Sequence, residues 1–222
     1  TVQRIVAGGV DYDVGGSGYQ PVGELRQRDA PADPQTSPAL SECLRAGLLC
    51  NDSELVETEG RWEVRGDPTE GALIVVARKA GMSQADDSQL PPRLDTIPFE
   101  AQHQYMATLH DRGPGRPTVI YMKGAVEVIL ERCTTMLERC GRIAPLDVSA
   151  AHHAADTLAM DGLRVLAFAR GALPDGTAGL RHADVACDLT FLGLQGMVDP
   201  PRTEAIAAVH ACHRAGIRVK MI

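Results

Sequence analysis

Lys123 is the residue of this 222-residue chain whose position most needs a chemical explanation. It ends the run Thr118-Val119-Ile120-Tyr121-Met122-Lys123, which is otherwise β-branched, aromatic or long and apolar, and Gly124-Ala125 follow at once. A cation closing a buried strand wants a partner, and a ligand anion is one candidate. Gly124, with no side chain, would let such a ligand approach the backbone. Other groups that could do chemistry exclude themselves. His152 and His153 are adjacent, so on a helix their rings project about 100° apart and form no i,i+4 metal pair; solvent exposure is expected for both. Cys43, Cys50, Cys133, Cys140, Cys187 and Cys212 include no Cys-x-x-Cys pair and read as buried, reduced thiols of a reducing compartment. Gly15-Gly16-Ser17-Gly18 leads into neither Gly-Lys-Ser/Thr nor a helix, so it is a flexible turn and no phosphate loop. The sequence holds no Rossmann glycine fingerprint, no catalytic-triad spacing and no His-Glu-x-x-His.

The elements that must hold Lys123 follow from the residue pattern. Residues 104–110 and 118–123 are strand-like, and Arg-Gly-Pro-Gly-Arg-Pro at 112–117 can only turn, which makes a β-hairpin. Apolar side chains fall on both faces of each strand, so the hairpin belongs inside a sheet covered on both sides. Further strands are expected at 1–7, 61–65, 163–172 and 189–198, with a loop at 8–18, a short extended segment at 19–22 and a polar surface connection at 26–35. Ser37-Pro38 opens a helix as N-cap and first-turn proline, with Leu40, Cys43, Leu44, Gly47 and Leu48 as its apolar stripe. Asp67-Pro68-Thr69-Glu70 opens a second as a capping box, and this helix is apolar all round over 72–77, hence buried. A third spans 125–130, and Asp147 caps a fourth that Gly162 ends. Residues 82–93 are polar and belong on the surface. At Asp199-Pro200-Pro201-Arg202 the character changes. An amphipathic helix at 203–215 and a strand at 217–222 continue the last strand as the opening unit of a parallel sheet, which cannot bury its own faces.

Composition bounds the partners. Lys and Arg number 22 against 29 Asp and Glu, a net charge of −7 without any basic run, which argues against nucleic acid or an anionic membrane surface as partner. A hydrophobic content of 44% is that of a globular protein with a real core. No apolar run approaches the roughly 20 residues that cross a bilayer, and no signal-peptide pattern opens the chain. It begins at Thr1, already in a strand and without an initiator methionine, and is expected to be a soluble piece of something longer.

Five segments, taken in order, carry a family resemblance. They are Gly66-Asp67-Pro68-Thr69-Glu70-Gly71-Ala72-Leu73; Pro98-Phe99 with Met106-Ala107-Thr108 beyond it; Lys123-Gly124-Ala125; Gly162-Leu163-Arg164-Val165-Leu166; and Val198-Asp199-Pro200-Pro201-Arg202. Each is weak alone, but in register they resemble the nucleotide-binding domain of P-type cation-transporting ATPases of the calcium and sodium/potassium pump group, and most of all bacterial calcium-ATPase-like pumps. The likeness covers nearly the whole chain. It implies an α+β fold, mainly an antiparallel β-sheet flanked by helices, over residues 1–198, with residues 199–222 as hinge and as a short βα start of the adjoining phosphorylation domain. It implies ATP as ligand, with Mg²⁺ accompanying the nucleotide in the full-length protein. The phosphorylation, actuator and transmembrane domains of the same parent chain are the implied partners, at the cytoplasmic face of the cell membrane. In the family the aspartate that takes phosphate lies in an Asp-Lys-Thr-Gly-Thr motif ahead of this domain. No catalytic residue and no metal site are therefore expected within this chain.

The resemblance also assigns roles, each beside a plainer reading. Phe99 would stack on adenine, where composition alone favours a core phenylalanine. Glu70 would accept from the adenine amino group, and the capping box accounts for it structurally as well. Lys123, with Gly124 and Ala125, would line the deep side of the pocket, against a surface lysine at a strand end. Arg164 would bind phosphate through its fixed fork of donors. Met106 and Leu166 would pack on base or ribose, or simply in the core. Gln104 stands where many relatives carry a lysine, and an amide replaces a charge-assisted bond with a neutral one. Weaker phosphate contact, and AMP or adenosine binding nearly as well as ATP, are the consequence. Asp199, Pro200, Pro201 and Arg202 would form the hinge. Two competing readings remain: a self-contained nucleotide-using phosphotransferase, which needs a carboxylate cluster not evident outside the polar loops, and a regulatory or scaffold domain with weakened nucleotide binding.

Overall fold

A computed structural model describes residues 1–82, 90–198 and 203–220. In chain order its elements are β1 (Val2–Ala7), β2 (Val10–Val14), β3 (Leu25–Gln27), β4 (Ala30–Pro31), α1 (Pro38–Leu49), β5 (Glu54–Thr58), β6 (Arg61–Arg65), α2 (Pro68–Lys79), β7 (Arg93–Glu100), β8 (Tyr105–His110), β9 (Thr118–Gly124), α3 (Val126–Leu130), β10 (Cys133–Leu137), β11 (Ile143–Pro145), α4 (Val148–Met160), β12 (Arg164–Leu173), β13 (Leu189–Met197) and α5 (Thr203–Arg214). Among the described residues no helix is long and apolar enough to cross a membrane.

The fold is α+β. Strands pair in the order β4-β3-β2-β1-β13-β12-β9-β8-β7, with β10 beside β13 and β11 beside β10, while β5 and β6 form a separate hairpin. Every pairing is antiparallel except that of β10 with β13. The hairpin of β8 and β9 lies inside this sheet, and every residue of both strands is buried, as apolar side chains on both faces require. Successive side chains serve opposite faces. Met106, Val119 and Tyr121 join the layer under α1 and α2, with Leu40, Leu44, Leu73 and Phe168. Ala107, Leu109, Ile120 and Met122 join the layer under α3 and α4, with Ile129, Leu130 and Leu158. Fully burying each of the larger side chains stabilises by about 1.5–3 kcal/mol.

Helix starts follow their cap residues. The Asp67 carboxylate accepts from the backbone N–H groups of Thr69 and Glu70, and that of Asp147 from Ala150. Such caps contribute about 0.5–2 kcal/mol each. Ser37 precedes α1 but does not cap it, because its buried hydroxyl pairs with the Tyr12 hydroxyl at 3.1 Å. Pro38, with no N–H to orphan, is the start signal that remains. The box at α2 forms only its Asp67 half, since other donors take the Glu70 carboxylate.

Several expectations change. The glycine-rich stretch 8–18 contains β2, which returns along β1 through Gly8-Gly9 at φ 60° and 77°. Its alternation puts Tyr12 and Val14 in the core and leaves Asp11 and Asp13 outside. Residues 19–22 form no strand, because Val22 N–H bonds locally to the Gln20 carbonyl. Within 26–35 the short β3 and β4 extend the sheet edge, and β5, β10 and β11 are further strands too short to show a clear period. Residues 217–220 are not a strand: among the described residues no strand pairs with them, and the Ile217 N–H bonds back to the Cys212 carbonyl at 2.9 Å. Asp199, Pro200, Pro201 and Arg202 lie outside the described residues, as do 83–89 of the polar stretch. The cysteines are free but not uniformly buried: Cys140 and Cys187 are exposed and Cys212 is half-buried. Burial pushes the Cys43 and Cys133 thiols up to about 12. His153 is exposed, whereas His152 is half-buried.

Candidate functional site

A cleft of about 470 Å³ opens where the first turn of α2 meets the ends of β7, β9 and β12. Strand register assembles it. Lys123 lies opposite Met106 on one side and Phe168 on the other, and Gly124 lies opposite Tyr105 and Ala167, so the end of β9 and the start of β12 share one rim. α2 contributes Asp67, Thr69 and Glu70; β12 contributes Arg164, Val165 and Leu166; Phe99 stands near the end of β7. Gln104 is not a strand residue. It occupies the turn between β7 and β8 at φ 57°, and its carbonyl accepts from the Ala125 N–H at 3.0 Å. A Cβ on Gly124 would sit 2.5 Å from that same carbonyl oxygen, so strand packing by itself demands glycine here.

The floor of the cleft is an ion pair. Lys123, only 6% exposed, donates to Glu70 Oε1 at 2.6 Å. Glu70 Oε2 accepts from the Asp52 N–H at 3.0 Å and from the Ser53 hydroxyl at 3.1 Å. The lysine's need for a partner is thus met first from within the chain. Nearer the mouth, burial pushes the Asp67 carboxyl up, but hydrogen bonds from Glu70 and Thr69 and the charge of Arg164 outweigh it and hold it below the usual carboxylate range. Beneath the floor, Cys50 donates to the Met106 carbonyl at 3.4 Å, and burial raises its thiol against the opposing charge of Lys123.

Eight of the residues singled out in the sequence line this cleft: Glu70, Phe99, Gln104, Lys123, Gly124, Ala125, Arg164 and Leu166. Met106 does not; it is 1% exposed in the layer beneath α1 and α2. Phe99 is no core residue, for it is 60% exposed, an unusual position for an aromatic ring that stacks on no other ring among the described residues. Asp67, Thr69 and Val165 line the cleft without having been foreseen in it, although all three stand within the quoted motifs. The role of residues 51–53 was missed entirely. Its one sequence signal is the polar triplet Asn51-Asp52-Ser53 at the end of an apolar helix.

A second cleft of about 490 Å³, at the other end of β9, has Arg45, Arg112, Arg116 and Arg170 along it. Of its carboxylates Glu42 and Asp111, Glu42 is already shared by Arg170, Arg45 and the Tyr121 hydroxyl, and the one aromatic ring among its described lining residues, that of Tyr121, is 3% exposed. It therefore offers a flat heterocycle no face.

A mainly antiparallel sheet between two helical layers, with Asp67, Glu70, Phe99, Lys123 and Arg164 gathered at one rim, defines the class. The chain belongs to the P-type ATPase cytoplasmic domain N family, whose profile matches residues 39–204. Among its relatives, the cation-transporting ATPase pma1 of Synechocystis is 52% identical over the whole of this chain and 25% of its own length. The probable cation-transporting ATPase F of Mycobacterium tuberculosis is 42% identical over the whole chain and 24% of its own length, and the calcium-transporting ATPase of Bacillus subtilis 32% over the whole chain and 25% of its own. The chain spans about a quarter of the length of these relatives.

Proposed function

We propose that this chain binds ATP by its adenine end in the cleft beside Phe99 and presents the phosphates to an aspartate outside the chain, as one step of cation transport by a P-type ATPase. The observation that carries this reading is the exposed Phe99 ring standing in the same cleft as the buried Lys123–Glu70 pair. Stacking on the ring holds the base, and Leu166 and Val165 supply apolar contact. Arg164, which makes no direct ion pair among the described residues, is the cation left for a phosphate. Lys123 and Arg164 are balanced in the cleft by Glu70 and Asp67, and Gln104 brings no further cation. Base recognition therefore dominates over phosphate recognition.

Residues 1–198 form the nucleotide domain in this reading, and residues 199–222 lead into the phosphorylation domain. Closure of the two brings the γ-phosphate to the aspartate, and positioning supplies much of the rate. Mg²⁺ would come with the nucleotide. Among the described residues no group of three or more carboxylate, histidine or cysteine side chains could hold that ion, so no step here runs through it. The transported cation, calcium in one named relative, is chosen by residues outside this chain.

Calorimetric titration tests the reading. Phe99→Ala should weaken ATP by about 5- to 150-fold, the equivalent of roughly 1–3 kcal/mol of stacking, with little change in melting temperature. AMP should bind within about tenfold of ATP; a larger gap overturns the base-dominated mode. Acid-stable phosphoprotein formed from this chain and Mg-ATP would overturn presentation in favour of a self-contained enzyme. The alternative of a regulatory or scaffold domain with weakened binding draws on Gln104, and absence of ATP binding at millimolar nucleotide would favour it.

A further inference from the structure

Residues 51–53 join the end of α1 to the first turn of α2 and touch nearly everything that holds the cleft floor in place. Asn51, 6% exposed, donates through Nδ2 to the Gly47 carbonyl at 3.0 Å and the Glu70 carbonyl at 2.9 Å, and its Oδ1 accepts from the Ser53 N–H at 2.9 Å. The Arg93 guanidinium donates to the carbonyls of Leu49 and Asn51 and pairs with Asp52 at 2.5 Å, which ties the root of β7, the strand that bears Phe99, to the same triplet. The Ser53 side chain lies against Gly66, where a Cβ would come within 2.4 Å of Ser53 Oγ. Gly66, the first residue of the longest motif, is thus a glycine that makes room for a serine. Ser53 Oγ stands 3.1 Å from Glu70 Oε2 and 3.2 Å from the Asp67 carbonyl. It has one proton to give, and the carboxylate is the stronger acceptor.

A carboxylate offers about four acceptor positions and, when ionised, no donor. Three on Glu70 are taken, by Lys123, Asp52 N–H and Ser53. We propose that Ser53 is a specificity-determining positioning residue, which with the Asp52 N–H pins the Glu70 carboxylate so that one acceptor position faces the cleft and selects a purine bearing a 6-amino group over one bearing a 6-oxo group. This rests on the reading of the cleft as an adenine site. An exocyclic N–H satisfies the remaining position, whereas a carbonyl oxygen placed there leaves two acceptors facing each other. Ser53 acts through Glu70 and does not touch the ligand.

The test compares ATP with ITP, which carries a 6-oxo group and an N1–H where ATP has a 6-amino group and a bare N1, on the wild-type chain, Ser53→Ala, Ser53→Thr and the volume-preserving Ser53→Cys, whose thiol is a weak donor. Wild type should prefer ATP by at least about fivefold. In Ser53→Ala and Ser53→Cys the preference should fall to within about twofold, chiefly by loss of ATP affinity, and Ser53→Thr, which keeps the hydroxyl, should restore it. A merely structural loosening would weaken both nucleotides alike and leave their ratio standing. An unchanged ratio in both hydroxyl-free variants overturns the proposal while leaving the adenine site intact; if either variant fails to fold, the other decides. Wild type that binds ATP and ITP equally overturns it together with the role given to Glu70, and wild type that binds neither overturns the nucleotide reading on which both rest.

Discussion

Replacing Glu70 by alanine should damage the fold itself, well beyond the loss of a ligand contact. The pair it forms with Lys123 is 2.6 Å long, and the two side chains are 16% and 7% exposed. Without the carboxylate, a buried ammonium loses its ion-pair partner, and the Asp52 N–H and Ser53 hydroxyl lose their acceptor. Breaking a buried pair by removing one partner costs about 3–5 kcal/mol. Alanine's better helix propensity returns only a few tenths of a kcal/mol. Against the roughly 5–15 kcal/mol that holds a domain folded, the loss is a large fraction. A domain of this size shifts by roughly 2–4 °C per kcal/mol, so Tm should drop by roughly 6–20 °C. Urea unfolding followed by far-ultraviolet circular dichroism gives the matching free energy from a lowered midpoint at unchanged slope. The double variant Glu70→Leu with Lys123→Met, which removes both charges, should recover most of the loss. A Glu70→Ala protein within about 1 kcal/mol of wild type would refute the reasoning, since it would mean that the Lys123 ammonium reaches water unaided.

Two further predictions concern the rim and the sheet. Gln104→Lys should raise the preference for ATP over AMP by about three- to tenfold at low ionic strength, an effect that salt should erode; a ratio indifferent to the substitution would contradict the view that this position limits phosphate contact. His110 is 1% exposed, with Nδ1 on the Pro91 carbonyl and Nε2 on the Thr108 hydroxyl, and burial lowers its pKa from the ordinary value. The unfolded chain then takes up a proton near pH 6.5 that the folded chain refuses, so stability is whole above that pH and is lost as pH falls toward the folded value. Melting curves from pH 7.5 to 5 should therefore fall more steeply for wild type than for His110→Gln, and equal slopes would exclude the effect.

Where a residue's own chemistry decides the local structure, the sequence was legible. Asp67 and Asp147 cap, Pro68 suits a first turn, and residues 105–110 and 118–124 are apolar on both faces, so α2, α4 and the central hairpin lie where those residues put them. β2 carried a readable alternation in Val10-Asp11-Tyr12-Asp13-Val14, but the flanking glycines outweighed it. The exposure of Phe99 and the burial of Met106 depend on which strands become neighbours, a long-range fact with no local signature. The same holds for Glu70. A capping box and a buried ion pair compete for one carboxylate, and only the approach of β9 to α2 decides that Lys123 wins it.

β1 and β13 run antiparallel at the middle of the sheet, and the Thr1 amino group and carbonyl bond to the carbonyl and N–H of Val198 at 2.7 and 3.0 Å. The geometry has a mechanical meaning. Tension that draws Thr1 and Val198 apart loads this ladder one rung at a time, as a zipper is opened, and meets little resistance. Tension applied to both in the same direction is shared between two strands anchored in the core. That corner of the sheet therefore withstands a joint pull far better than a peeling one.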